Sequence, residues 1–110
     1  MRWPQEKSDL RLSKQLLDLA GPDGALFDRF HIETVARTDG AIPRRWRELI
    51  ALGVAFTTRC PLCVDLHTTA AKADGANREE IAEVAMIAAA MRAGAAFGQG
   101  LLALKIYDAG

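Results

Sequence analysis

The amino-acid sequence predicts an all-α protein of five to six helices. Three observations carry this. Apolar residues recur at helical spacing along most of the chain. No stretch alternates apolar and polar residues as a half-buried strand does. Clusters of Gly, Pro, Asn and Asp cut the periodic stretches into helix-sized lengths. There is no internal repeat and no low-complexity tract.

The first segment places Leu10, Leu16, Leu17 and Ala20 on one side of an amphipathic helix, with Ser8 as its cap. GPDG at 21–24 ends it, since Gly and Pro together break a helix. The second segment carries Leu26, Phe27, Phe30 and Val35, and TDGAIP at 38–43 closes it. Pro43 suits the first position of the next helix, where its missing N–H is no loss. The third segment, PRRWRELIALGVAFTT, is apolar or glycine at every position from Leu49 to Phe56. A helix apolar on all sides is a buried one. A short strand is the rival for such a run, but the periodic segments on either side favour helix.

The fourth helix starts with Cys60 as N-cap and Pro61 as first residue. That puts Cys63 at the third helical position and His67 one turn later. ADGAN at 73–77 ends it, with Gly75 as the left-handed cap. Asn77 and Glu80 open the fifth helix with capping-box spacing. It runs through EIAEVAMIAAAMRA. A sixth, AAFGQGLLALKIYDA, follows a break expected near Gly94.

The 110 residues suit a single domain, 1–110. Half are hydrophobic and a quarter charged, a globular balance. The formal net charge is zero, and RRWR at 44–47 is too short to serve as a basic stripe, so no nucleic-acid partner is expected. The N-terminus MRWPQEKSDLRLSKQ lacks the apolar core of a secretory signal. The most apolar stretch, Val84 to Ala103, holds Arg92, Gln99 and several glycines, so no membrane span is expected there. Two cysteines are too few for a disulfide-stapled secreted scaffold. The expectation is a cytoplasmic protein with reduced thiols. So small a chain buries only a modest fraction of its surface, and the Ala- and Gly-rich C-terminal faces suit close helix–helix contact. Association with further copies is therefore expected.

Both cysteines and one of the two histidines fall within eight residues, CPLCVDLH at 60–67. Three explanations are open: a redox pair, a metal site, or packing. Sulfurs three residues apart on the first turn of a helix can meet, closing and opening a disulfide with little backbone movement. The positive end of the helix favours the thiolate. Cys63 and His67 are spaced i, i+4 and share a face, so the imidazole can take the thiol proton. As metal ligands, Cys60, Cys63 and His67 are one short of a structural zinc site, leaving Glu48 or a water as the fourth. Buried, inert cysteines are the plainest alternative.

Glu48 is the last charged residue before the uncharged run Leu49 to Thr58. Two roles are open to it. Desolvation at the head of an apolar helix would raise its pKa toward the range useful for proton transfer. Alternatively it forms a salt bridge with Arg44 or Arg45, at i−4 and i−3. Tyr107, Trp46 and His31 are open to bordering a pocket, but packing or surface is the commoner role for each.

The run from RELIAL through CPLCVDLH to ADGANREEI resembles the AhpD-like, carboxymuconolactone decarboxylase superfamily, over about residues 44–95. Its Glu-(x)11-C-x-x-C-x-x-x-H pattern is far more specific than C-x-x-C alone; residues 1–40 add nothing to it. The resemblance implies an all-α fold assembled as a homotrimer or homohexamer. It implies an antioxidant thiol peroxidase or disulfide oxidoreductase, with no cofactor, acting on a hydroperoxide. A lipoyl or thioredoxin-like dithiol protein would be the reductant. Carried onto this chain, Glu48 and His67 relay a proton from Cys63, which attacks, and Cys60 resolves. Peroxidase members often carry a second relay histidine between the cysteines. Here the interval is Pro61-Leu62, which implies a shortened relay. The alternatives are a non-catalytic metal-binding or assembly module, and decarboxylation of a small lactone, a branch thought to work without the cysteine pair.

Overall fold

The structure is a computed structural model and describes residues 7–110. A 3-10 turn, Lys7–Leu12, leads into five α-helices: α1 (Ser13–Leu19), α2 (Pro22–Val35), α3 (Arg44–Thr58), α4 (Pro61–Ala73) and α5 (Arg78–Ala109). Among the described residues there is no strand.

α1 starts five residues later than the expected cap. Its N-cap is Leu12, which makes no side-chain capping bond; the side chain of Ser8 lies outside the described residues. Lys14 and Asp18 form an i, i+4 ion pair at 2.8 Å. The hydrogen bond to Asp18 holds the exposed Lys14 ammonium above its ordinary pKa.

The breaker GPDG is shorter in space than in sequence. Gly21 alone makes the turn, with φ 62°. Pro22 is already the first residue of α2, where its locked φ fits. Gly24 lies inside α2 and is buried, and a Cβ there would overlap the Leu17 carbonyl. α1 and α2 therefore cross backbone to backbone.

The loop 36–43 is pinned by Arg47, which donates to the Thr34 carbonyl at 2.7 Å and the Ile42 carbonyl at 2.9 Å. Pro43 caps α3 instead of opening it. Its extended ψ of 151° aims its carbonyl at the N–H groups of Trp46 and Arg47, at 3.1 and 3.2 Å.

α3 and α4 form an antiparallel hairpin closed by Arg59 and Cys60. Arg59 is a left-handed cap at φ 56° without being glycine. α3 buries Glu48, Leu49, Leu52 and Ala55, one face at i, i+1, i+4, i+7 spacing. Leu52 is completely enclosed. The expectation of burial on all sides fails: Ile50 and Val54 are more than half exposed. One chain supplies cover for one side of α3 and only part of the other.

α5 lies parallel to α3. Arg45 ion-pairs with Glu80, Gly53 faces Val84, and Arg92 donates to the Thr57 carbonyl at 3.5 Å. Its start is the expected capping box, with the Asn77 carboxamide on the Glu80 N–H at 2.8 Å and the Glu80 carboxylate on the Asn77 N–H at 3.0 Å. The expected break near Gly94 does not occur. A glycine costs a helix only about 1 kcal/mol relative to alanine, and the flanking Ala- and Leu-rich sequence propagates through it. The two expected helices are one rod of 32 residues, about 48 Å long.

Every residue from Met91 onward is exposed. The longest dimension is 53 Å and the radius of gyration is 17.9 Å, against roughly 13 Å for a compact domain of this length. By length and composition alone α5 passes the test for a membrane-crossing helix, a test that core helices of water-soluble proteins also pass, so the reading of Val84 to Ala103 stands untouched. Arg92 is nonetheless tied to Thr57 at the end of α3.

Candidate active site

The hairpin brings the chemistry together. Cys60 is the N-cap of α4, and its Sγ accepts the N–H of Cys63 at 3.2 Å. The sulfurs of Cys60 and Cys63 are joined in a disulfide, with the Cα atoms 5.2 Å apart, well inside the span such a bond needs. Pro61 follows at the first helical position, where its ring fixes φ for the turn.

Two turns along α4 from the cap, His67 faces α3. Its Nδ1 lies 2.6 Å from Glu48 Oε2. Glu48 is 3% exposed and His67 6%, so the pair is shut off from bulk water. The other carboxylate oxygen, Oε1, is 2.7 Å from Arg44 Nη1. Arg44 also reaches Asp74 Oδ2 at 3.4 Å and the Val35 carbonyl at 3.4 Å. Of the two roles left open for Glu48, the salt bridge is present, to Arg44, and the carboxylate meets His67 at the same time. Arg45, the other candidate partner, turns to Glu80 instead.

With Glu48 ionised, the His67 proton sits on Nδ1 and the lone pair on Nε2. Side chains on a helix lean toward its N-terminus, which inclines the imidazole over the turn that carries Cys63. The arrangement can accept a proton, hold it in a buried ion pair, and return it.

His31, read as packing or surface, is brought to the site. Its ring centroid lies 5.8 Å from that of His67, and Phe27 stacks on its far side at 5.9 Å. No local spacing could have revealed this, because the two histidines come from different helices. Trp46 lies elsewhere, under the Arg45 guanidinium at 5.1 Å. Tyr107 is 82% exposed near the end of α5. Among the described residues, no group of three or more His, Cys, Asp or Glu is placed to hold a metal ion.

On the opposite side of α3 an open apolar groove of about 640 Å³ runs between α3 and α5, lined by Ile50, Val54, Val84, Ile87 and Met91 among others. None of Glu48, Cys60, Cys63 and His67 lines it.

The profile of the carboxymuconolactone decarboxylase family matches residues 24–105. The chain belongs to this family. The match reaches beyond the 44–95 carried by the sequence motifs, taking in most of α2 and most of α5. The chain is 42% identical over 77 residues to uncharacterized protein 4 in the cox locus of Paracoccus denitrificans, covering 70% of this chain and 69% of that one. It is 38% identical over 74 residues to an uncharacterized protein of Cupriavidus necator, covering 67% and 66%. The aligned part thus spans about two thirds of each relative. Its fold resembles the apo crystal structure of a carboxymuconolactone decarboxylase family protein from Legionella pneumophila, with a TM-score of 0.59 and 27% identity, over 74% of this chain and 68% of that one. The all-α architecture is that of the family.

Proposed function

We propose that the protein is a thiol-dependent oxidoreductase that reduces hydroperoxides through Cys60 and Cys63, with Glu48 and His67 as its proton relay. One observation carries the reading: the two sulfurs are bonded at the N-terminus of α4, in the same hairpin as a buried carboxylate–imidazole pair.

In the reduced protein, His67 Nε2 takes the Cys63 proton and Glu48 stabilises the resulting imidazolium. The Cys63 thiolate attacks the terminal oxygen of the hydroperoxide. The O–O bond breaks, the alcohol leaves with the proton from His67, and Cys63 becomes a sulfenic acid. Cys60 passes its proton to His67 Nε2 and its thiolate attacks that sulfur; the S–O bond breaks, the leaving hydroxide takes the proton back from His67 as water, and the disulfide forms. A dithiol protein of lipoyl or thioredoxin type donates two electrons and two protons by exchange, becoming a disulfide itself. The Cys63 N–H at 3.2 Å from Cys60 Sγ supports a thiolate on Cys60, as a resolving sulfur requires. A reducing compartment such as the cytoplasm suits the cycle.

The working form in this reading is a homo-oligomer, a trimer or hexamer. Phe97, Leu101, Leu104, Ile106 and Tyr107 are each more than half exposed on α5.

The test is thiol counting before and after a small excess of peroxide. The redox reading expects two thiols lost per chain, restored by dithiothreitol, and no disulfide in Cys63→Ser. Thiols that survive peroxide would sink it. A second reading, decarboxylation of a small lactone, is favoured by one feature: Arg44, Glu48 and His67 make a complete acid–base cluster without the sulfurs. Lactone turnover that persists in the double Cys→Ser variant would select it.

A further inference from the structure

Arg44, Arg45 and Arg47 all stand in the first turn of α3, which contains no acidic residue. That is the wrong end for cations, because a helix N-terminus carries partial positive charge and favours Asp or Glu. Sites where a local rule is broken are sites where a tertiary demand has won. Two of the three are accounted for by the fold. Arg47 pins the loop 36–43, and Arg45 clamps α5 through Glu80.

Arg44 reaches inward. It is three-quarters buried, and its Nη1 meets Glu48 Oε1, Asp74 Oδ2 and the Val35 carbonyl. A carboxylate as buried as Glu48 needs charge and hydrogen bonds beside it to offset the loss of water. Its oxygens are divided, Oε1 to Arg44 and Oε2 to His67. The guanidinium is itself fixed from two other elements, by Asp74 at the end of α4 and by the last residue of α2. With Oε1 anchored to a fixed group, the carboxylate cannot rotate away from the imidazole.

We infer that Arg44 is the positioning residue of the Glu48–His67 pair. It holds Oε1 so that Oε2 meets Nδ1, and so decides which nitrogen of His67 bears the proton and which is left free. The consequence for turnover rests on the relay reading above; the positioning itself does not.

The test uses full-length protein labelled with 15N-histidine, reduced, in a long-range 1H–15N correlation experiment. Wild-type His67 is expected to show a protonated Nδ1. In Arg44→Met it is expected to shift toward the Nε2–H tautomer that a free imidazole prefers, and peroxide-driven thiol oxidation is expected to slow about tenfold. Arg44→Lys, which returns the charge, is expected to recover most of the wild-type signal. Asp74→Asn separates positioning from a simple tie between helices: it should lower the melting temperature while leaving the His67 tautomer unchanged. If Arg44→Met does not fold, Arg44→Gln replaces it, with the same shift expected from loss of charge. A folded Met or Gln variant that keeps the wild-type His67 signal overturns the inference. A shifted tautomer in a protein that never consumes peroxide leaves the inference standing and removes the redox reading instead.

Discussion

His67 Nδ1 and Glu48 Oε2 meet at 2.6 Å, across the α3–α4 hairpin and out of reach of bulk water. Groups this close share a proton path, so removing one partner changes what the other can do. Glu48→Gln keeps the size and removes the charge, so the imidazolium that forms on proton uptake loses its counter-ion. Stopped-flow measurement of thiol oxidation by peroxide is expected to show a loss of about 10²-fold, the lower range for a general base. A rate within twofold of wild type would exclude Glu48 from the relay.

Cys60→Ser removes the resolving sulfur and leaves the cap in place, since a serine hydroxyl also accepts the N–H two or three residues on. Helicity is expected to be unchanged by circular dichroism. Treatment with one equivalent of peroxide should leave a sulfenic acid on Cys63 that dimedone traps and mass spectrometry locates. An adduct on Cys60 in Cys63→Ser, with none on Cys63 in Cys60→Ser, would reverse the two roles.

Among the described residues, Leu52 is the one large side chain enclosed completely. Leu52→Ala is expected to cost about 3 kcal/mol, the lower part of the range for buried leucines. Urea unfolding at fixed protein concentration measures it. A cost below 1 kcal/mol would mean that the site collapses to fill the space.

Arg59 holds a left-handed conformation in front of Cys60. That costs a non-glycine residue about 1–2 kcal/mol, while glycine costs roughly 0.5–1 in unfolded-chain entropy. Arg59→Gly is therefore expected to raise stability by about 0.5–1 kcal/mol, read as a higher urea midpoint. A lower midpoint would show that the Arg59 side chain contributes more than its backbone strain.

Leu101→Glu places a charge on the uncovered half of α5. In a homo-oligomer held by this helix, sedimentation velocity should show a shift toward monomer. An unchanged sedimentation coefficient would remove the helix from the contact.

Helix ends were the most legible part of the sequence. Asn77 with Glu80, Cys60 with Pro61, and Gly75 are local devices, each complete within a few residues, and the structure uses all of them. The Cys60–Cys63 pairing was legible for the same reason. What needed three dimensions was hidden. Gly94 reads as a breaker, but one glycine cannot stop a helix whose neighbours all propagate it. Ile50 and Val54 read as core, because composition does not say which faces of a helix the fold will cover. Glu48 had Arg44 or Arg45 as a local salt-bridge partner and takes Arg44; its simultaneous contact with His67 comes only from a fold that faces α3 with α4. His31 reaches His67 through tertiary packing that no spacing rule encodes.

α3 is a wall with a tenant on each side. Its Glu48 side serves the cysteine hairpin, and its Ile50 and Val54 side fronts the groove against α5. A substitution that twists this one helix by a few degrees disturbs both rooms together.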